Sequence, residues 1–194
     1  MKVIGVTGQV GSGKSQVLDF LDKNYNCRII KTDEVAGIIR DESGPCHDAV
    51  CDIIGKDCIN DDGLIDRQKM ASVIFADRQK LERVNAVLHP AVKEKVLCTI
   101  AEEKTKGELD YIFVESALLL NDDYDKICDE IWYIYVRDEV REKRLMESRG
   151  YTTSKIQEIL SRQMSDEQLR EGCKWVIDNS DDFSLTVEQI EFII

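Results

Sequence analysis

Five short apolar runs, set apart by stretches of helical periodicity, constrain the fold more than any other feature of this sequence. Val3–Val6, Arg28–Ile30, Tyr111–Val114, Ile131–Val136 and Trp175–Ile177 are strand-sized and rich in β-branched or aromatic residues. Val17, Leu18 and Leu21 follow the first run at helical spacing, and Val35, Ile38 and Ile39 follow the second. Leu81, Val84 and Leu88, then Val92, Val96 and Ile100, predict two further helices separated near His89-Pro90, where proline suits a first helical turn. Ser154-x-x-Gln157 and Ser165-x-x-Gln168 each have the form of a capping box and predict two helix starts late in the chain. Strand alternating with helix predicts an α/β fold on a five-stranded parallel sheet. Parallel strands need crossovers, and the helical stretch from about 45 to 106 is too long for a single one. It is expected to form an inserted lobe within one compact domain of 194 residues.

A composition of 43% hydrophobic and 33% charged residues with two prolines is that of a globular protein. The net charge of −12 gives no basic field for a nucleic-acid backbone or an anionic membrane surface, so neither partner is expected. An anionic ligand must instead be held by local cations or backbone amides. Seven cysteines, an odd set without a disulfide-dense pattern, predict free thiols in a reducing, cytoplasmic compartment. Cys46, His47, Cys51 and Cys58 contain no Cys-x-x-Cys pair and read as core and loop residues, with no metal site expected there. Met1–Val10 is only briefly apolar, so no signal peptide is expected, and no run approaches the roughly 18 apolar residues of a membrane helix.

The chemistry is carried between the first strand and the first helix. Gly8-Gln9-Val10-Gly11-Ser12-Gly13-Lys14-Ser15 has the spacing of a phosphate loop: glycine, four residues, glycine, lysine, serine. Gly8, Gly11 and Gly13 let the backbone turn so that successive N–H groups, Ser12 included, point inward, and the following helix adds its positive end. Lys14 is then placed to reach terminal phosphates and Ser15 to ligate Mg²⁺. The sequence contains no Asn-Lys-x-Asp for guanine recognition and no Leu-Ser-Gly-Gly-Gln of transporter ATPases. Asp33 lies just past the second strand, where a carboxylate accepts a proton from an attacking hydroxyl, helps hold Mg²⁺, or caps the helix through Val35–Ile39. Arg137, Arg141, Arg144 and Arg149 follow the fourth strand and Arg162 comes later; they read as phosphoryl clamps or as solvated surface.

Together these residues resemble the dephospho-coenzyme A kinase family over nearly the whole chain. That family's Thr-Gly-Gly-Ile-Gly-Ser-Gly-Lys-Ser is similar to Thr7–Ser15, which departs at Gln9 and Val10. Its Asp-Ala-Asp resembles Lys31-Thr32-Asp33, with the second aspartate, the family's base, kept and the first lost. Asp62-Gly63, Arg67, Phe75 and Leu88-His89-Pro90 are similar to its coenzyme-binding helical region. Its Asp-x-Pro-Leu-Leu-Phe-Glu corresponds to Glu115–Asn121, where the proline and the final glutamate are replaced. Arg144 and Arg149 match two arginines at the start of its lid, Gln163 the lid glutamine, and Ile177-Asp178-Asn179 the loop beside the adenine.

The resemblance implies a phosphate-loop NTPase fold with a helical acceptor lobe and a helical lid over about 138–172. It implies ATP with Mg²⁺ as donor and the ribose 3′-hydroxyl of dephospho-coenzyme A as acceptor. Asp33 is then the base, Arg67, His89 and Pro90 contact the acceptor, Asn179 contacts the adenine, and Arg144 and Arg149 close over the γ-phosphate. A nucleoside or nucleoside-monophosphate kinase of similar build, or a nucleotide-dependent switch without a small-molecule acceptor, remains the alternative.

Overall fold

A computed structural model describes residues 1–117, 119–120 and 124–194; Leu118 and Asn121 of the altered 115–121 segment lie outside the described residues. The elements run β1 (Lys2–Thr7), α1 (Lys14–Asn24), β2 (Cys27–Lys31), α2 (Thr32–Asp41), α3 (Pro45–Ile54), α4 (Arg67–Ala76) and α5 (Arg78–Lys106). They continue with β3 (Tyr111–Glu115), β4 (Glu130–Tyr135), α6 (Asp138–Arg149), α7 (Thr153–Leu160), α8 (Asp166–Gly172), β5 (Trp175–Asp178) and α9 (Phe183–Ile193). The five strands form one sheet in the order β2-β3-β1-β4-β5. β1 pairs in parallel with both β3 and β4, Val6 lying beside Glu115 on one side and Trp132 on the other. Each strand matches one of the apolar runs, and the central strands β1, β3 and β4, covered on both faces, are apolar nearly throughout. After β3 the chain crosses to the far side of β1, so the connections at the carboxyl end of the central strands diverge and leave room for a ligand.

The chain divides into two compact units, Met1–Ile30 with Glu103–Ile194, and Lys31–Glu102. In the first, Ile4 and Val6 of β1 pack with Leu18 and Leu21 of α1, Phe113, Trp132, Ile134, Ile177 and Ile190. The Phe113 and Trp132 rings lie 5.6 Å apart. Side chains of this size contribute about 1.5–3 kcal/mol each when fully buried. One carboxylate, Glu130, is buried with them and satisfied by Trp132 Nε1 at 2.9 Å, Lys174 Nζ at 2.8 Å and Lys2 Nζ at 3.0 Å. Burial alone would raise its pKa, but the three donors outweigh that and hold the carboxyl below its ordinary value.

The second unit has its own core of Val50, Ile53, Ile54, Cys58, Ile65, Met70, Val84 and Leu88. Pro45 starts α3, and Asp66 caps α4 by accepting from the amides of Gln68 and Lys69, each at 3.0 Å. The expected break at His89-Pro90 is absent: α5 is one helix with Pro90 inside it. Proline forfeits one backbone hydrogen bond, yet Val84, Leu88, Val92, Val96 and Ile100 are all buried at intervals of four, so an uninterrupted apolar stripe offsets that loss. The expected face of α2 is only partly buried: Ile39 packs against this core, Val35 is half-buried and Ile38 is 53% exposed. The later helix start also moves: Thr152, not Ser154, caps α7 by accepting from the Lys155 amide, whereas the Ser165–Gln168 capping box of α8 forms as expected. Among the described residues no helix is long and apolar enough to cross a membrane.

Candidate active site

The loop between β1 and α1 is shaped by two glycines in the left-handed region, Gly11 at φ 77° and Gly13 at φ 84°. A Cβ on Gly13 would collide with Asn179 Nδ2, and one on Gly11 would stand 2.9 Å from Leu145 Cγ of α6. Both positions therefore require glycine for conformation and for space. Gly13 precedes α1 without a side-chain cap, and no acidic residue occupies the helix's first turn. The orphan amides and positive end of α1 are thus left for an anion. Lys14 Nζ donates to Gly8 O at 2.6 Å and to Gln9 O at 3.5 Å, folding back over the loop, while Ser15 is exposed in the same turn.

Asn179, at the end of β5, braces this loop from below. It is 1% exposed, its Nδ2 donates to Ser12 O at 2.9 Å, and its Oδ1 accepts from Thr186 Oγ1 at 2.9 Å. Helix α6 supplies the other wall. Arg141 is buried, with Nη1 on Asp138 Oδ1 at 2.7 Å and Nη2 on Val136 O at 3.1 Å. Arg144 Nη1 lies 3.6 Å from the position of a Gly13 Cβ. Arg149 is exposed at the helix end, its guanidinium 5.9 Å from the Tyr151 ring centre. Gln9 Oε1, Ser12 Oγ, Arg141 Nε and Arg144 Nη1 are all buried without a hydrogen-bond partner. Each such atom costs about 1–3 kcal/mol when unmatched, and all four belong to the loop or to α6. Guanidinium and hydroxyl donors converging on a glycine loop and a helix N-terminus suit a polyphosphate.

The segment between α7 and α8 closes a third side. Gln163 Oε1 accepts from the Val10 amide at 3.0 Å, and Gln9 Nε2 donates to Met164 O at 2.8 Å. A pocket of about 170 Å³ opens here, lined by Thr7, Gly8, Gln9, Ala117, Arg162 and Gln163 among others. Arg162 donates to Glu158 Oε1 at 2.8 Å. α8 is tied to the sheet by Tyr133 OH on Asp166 Oδ1 at 2.9 Å and by Arg170, which bonds Asp166 Oδ2 at 2.7 Å and lies 4.3 Å from the Tyr135 ring centre.

The remaining sequence candidates belong to the second unit. Asp33 is exposed in the first turn of α2, whose N-cap is Lys31, so the capping role considered for Asp33 is not the one it has. The reason is register: the helix starts at Thr32, one residue ahead of the aspartate. Arg67 Nη2 bonds Asp41 Oδ2 at 2.6 Å, and Arg40 grips the same carboxylate through Nε at 2.8 Å and Nη2 at 3.1 Å. Hydrogen bonds from Arg40 first, and from Arg67, hold the Asp41 carboxyl below its ordinary value. His89 is half-buried and Pro90 exposed, in the middle of α5.

With this geometry in place, comparison with known proteins is decisive. The family model described as dephospho-CoA kinase matches residues 2–184. The chain belongs to the dephospho-CoA kinase family. A dephospho-CoA kinase of Carboxydothermus hydrogenoformans is 34% identical over 194 residues, covering 100% of this chain and 93% of the relative. One from Oceanobacillus iheyensis is 29% identical, covering 99% and 96%. The crystal structure of TT1252 from Thermus thermophilus shares the fold with a TM-score of 0.80 at 24% identity, covering 99% of this chain and 95% of that one. The dephospho-CoA kinase family reaction, ATP-dependent phosphorylation of the ribose 3′-hydroxyl of dephospho-coenzyme A in the last step of coenzyme A synthesis, is the activity of this chain.

Sequence reasoning flagged Gln9 only as a departure from the family's loop and Arg141 only as one of an arginine cluster; it missed the bond from Gln9 to Met164 and the bracing role of Asn179.

Proposed function

We propose that the Gly8–Gly13 amides and Lys14 hold the donor ATP, that Asp33 accepts the proton of the 3′-hydroxyl, and that Arg144 and Arg149 neutralise the γ-phosphoryl group as it moves. The observation that carries this is Arg144 Nη1, a buried guanidinium nitrogen with no hydrogen-bond partner set against Gly13. A planar, permanently charged donor there stabilises charge that spreads over the phosphoryl oxygens in the transition state. Lys14 exchanges its two carbonyl partners for phosphate oxygens, which carry more negative charge. When bound, Mg²⁺ would add neutralisation of the phosphates; the Ser15 hydroxyl and the Asp33 carboxylate would hold it, each a hard oxygen donor of the kind that ion takes. Asn179 sets the loop against the adenine side of the site.

The 45–106 helical region serves as the acceptor-binding insertion, with Arg67, His89 and Pro90 toward the coenzyme, and 138–172 serves as the lid. The exposed Arg67 guanidinium, held by Asp41, suits a phosphate of the acceptor. Seven free cysteines support a reducing, cytoplasmic setting. The test offers the protein ATP, Mg²⁺ and either dephospho-coenzyme A or AMP, and compares wild type with Asp33→Asn. Because Asp33 caps nothing, the variant should keep its melting temperature and lose roughly 10²-fold or more in kcat. A variant that turns over near the wild-type rate removes Asp33 from the chemistry, and equal use of AMP removes the long acceptor site.

A further inference from the structure

Gln9 and Gln163 each bond the main chain of the opposite segment, and in both bonds the phosphate-loop side donates. The Gln9 side chain donates to the backbone of the α7–α8 segment at Met164, and the Gln163 side chain accepts from the backbone of the phosphate loop at Val10. Each glutamine therefore holds the main chain of the residue that follows the other. Gln9 is only 7% exposed, so water does not compete well for its bond. Its orientation is fixed as well, because only the nitrogen end of the amide can donate to the Met164 carbonyl. The same two side chains, with Arg162, line the 170 Å³ pocket at the start of the loop.

We propose that Gln9 is a positioning residue: it latches the α7–α8 segment onto the phosphate loop, so that the segment shields the transferring phosphoryl group from water. The proposal rests on the reading that this loop holds ATP and that 138–172 forms the lid. Its physical content is a competition. Water is the rival acceptor in any phosphoryl transfer, and a lid held down by two reciprocal bonds closes more of the time than one held by a single bond. A side chain that fills the same volume without donating should loosen the segment while leaving the Lys14 contacts in place.

Gln9→Met is that substitution, nearly isosteric and uncharged. Two quantities are read in wild type and variant: hydrogen exchange of the backbone amides in 161–165, and ADP formed per coenzyme A formed. Exchange should quicken about five- to tenfold, as expected for one lost hydrogen bond and its coupled partner. kcat for transfer should fall by a similar factor, KM for ATP should move by less than about twofold, and the ADP to coenzyme A ratio should rise. Unchanged exchange overturns the latch; faster exchange with an unchanged product ratio overturns its positioning role. If Gln9→Met does not fold, Gln9→Gly, which removes the side chain outright, is held to the same two readouts. A Lys14→Ala control separates the two ideas: transfer at the wild-type rate there refutes the donor-site reading, whatever Gln9 does.

Discussion

The contact between Gly13 and Asn179 allows a prediction in which two substitutions mask one another. Gly13→Ala places a methyl group at φ 84°, where an L-residue costs about 1–2 kcal/mol. The same methyl collides with Asn179 Nδ2 and must push the amide away from Ser12 O. A displaced amide leaves a buried carbonyl unpaired, a further cost of about 2 kcal/mol. Gly13→Ala alone should therefore destabilise by about 3–4 kcal/mol, and Asn179→Ala alone, which loses the same bond while Thr186 Oγ1 keeps Asp178 O as an acceptor, by about 2 kcal/mol. In the double variant the amide is gone before the methyl arrives, so its bond is lost only once. The pair should cost about 3–4 kcal/mol, not the 5–6 of simple addition, a coupling of about 2 kcal/mol. Urea denaturation of the four proteins, followed by tryptophan fluorescence and far-ultraviolet dichroism, measures each term. Additivity within about 0.5 kcal/mol would falsify the steric argument, since residues that share no contact add to that accuracy.

Arg144→Lys keeps the charge but loses the planar fork, so kcat should drop about tenfold or more with a smaller change in ATP affinity, while Arg149→Lys, exposed beside Tyr151, should do less. Steady-state kinetics of both variants decide it, and a larger loss at Arg149 would reverse the assignment. Glu130 predicts the acid limb of stability. Its folded pKa lies below the ordinary value of 4.5, so its contribution is complete above that pH and disappears as pH falls through the folded value. Urea midpoints taken from pH 7 down to 3 should fall steeply in wild type and less steeply in Glu130→Gln, which starts lower; parallel curves would show that the acid sensitivity arises elsewhere.

The strands were legible because burial on both faces demands apolar residues without alternation, and Val3–Val6 or Ile131–Val136 say so within a few positions. The loop was legible because its glycines, lysine and serine are contiguous. What escaped were choices settled by distant partners. Whether Pro90 ends a helix depends on whether the stripe from Val84 to Ile100 finds a continuous surface to bury against, which local sequence does not state. Thr152 and Ser154 are comparable caps in isolation, and the register that forms is the one in which Thr152 accepts from the Lys155 amide with Ile156 buried. The bonds from Gln9 to Met164 and from Asn179 to Ser12 join residues 155 and 167 positions apart, beyond any periodicity or motif. Asp33 was correctly set just past the second strand, yet the two-residue offset from the N-cap, Lys31, that makes it a first-turn residue in place of a cap is finer than spacing resolves.

The Gly8 and Gln9 carbonyls that hold the Lys14 ammonium set a tethered rival for that charge against every anion that approaches the loop. An internal rival cannot be diluted away; its local concentration is set by the length of one side chain and stays high under all conditions. Any ligand must first displace it, and the apparent affinity of each is divided by the same factor. A monovalent ion such as chloride, with one charge and a single point of contact, has little to set against that displacement. A triphosphate spreads its charge along the whole row of amides and gains contacts that the ammonium never occupied. By the same arithmetic, the background of small cellular anions leaves the loop open to nucleotide, so discrimination begins before any base or ribose is recognised.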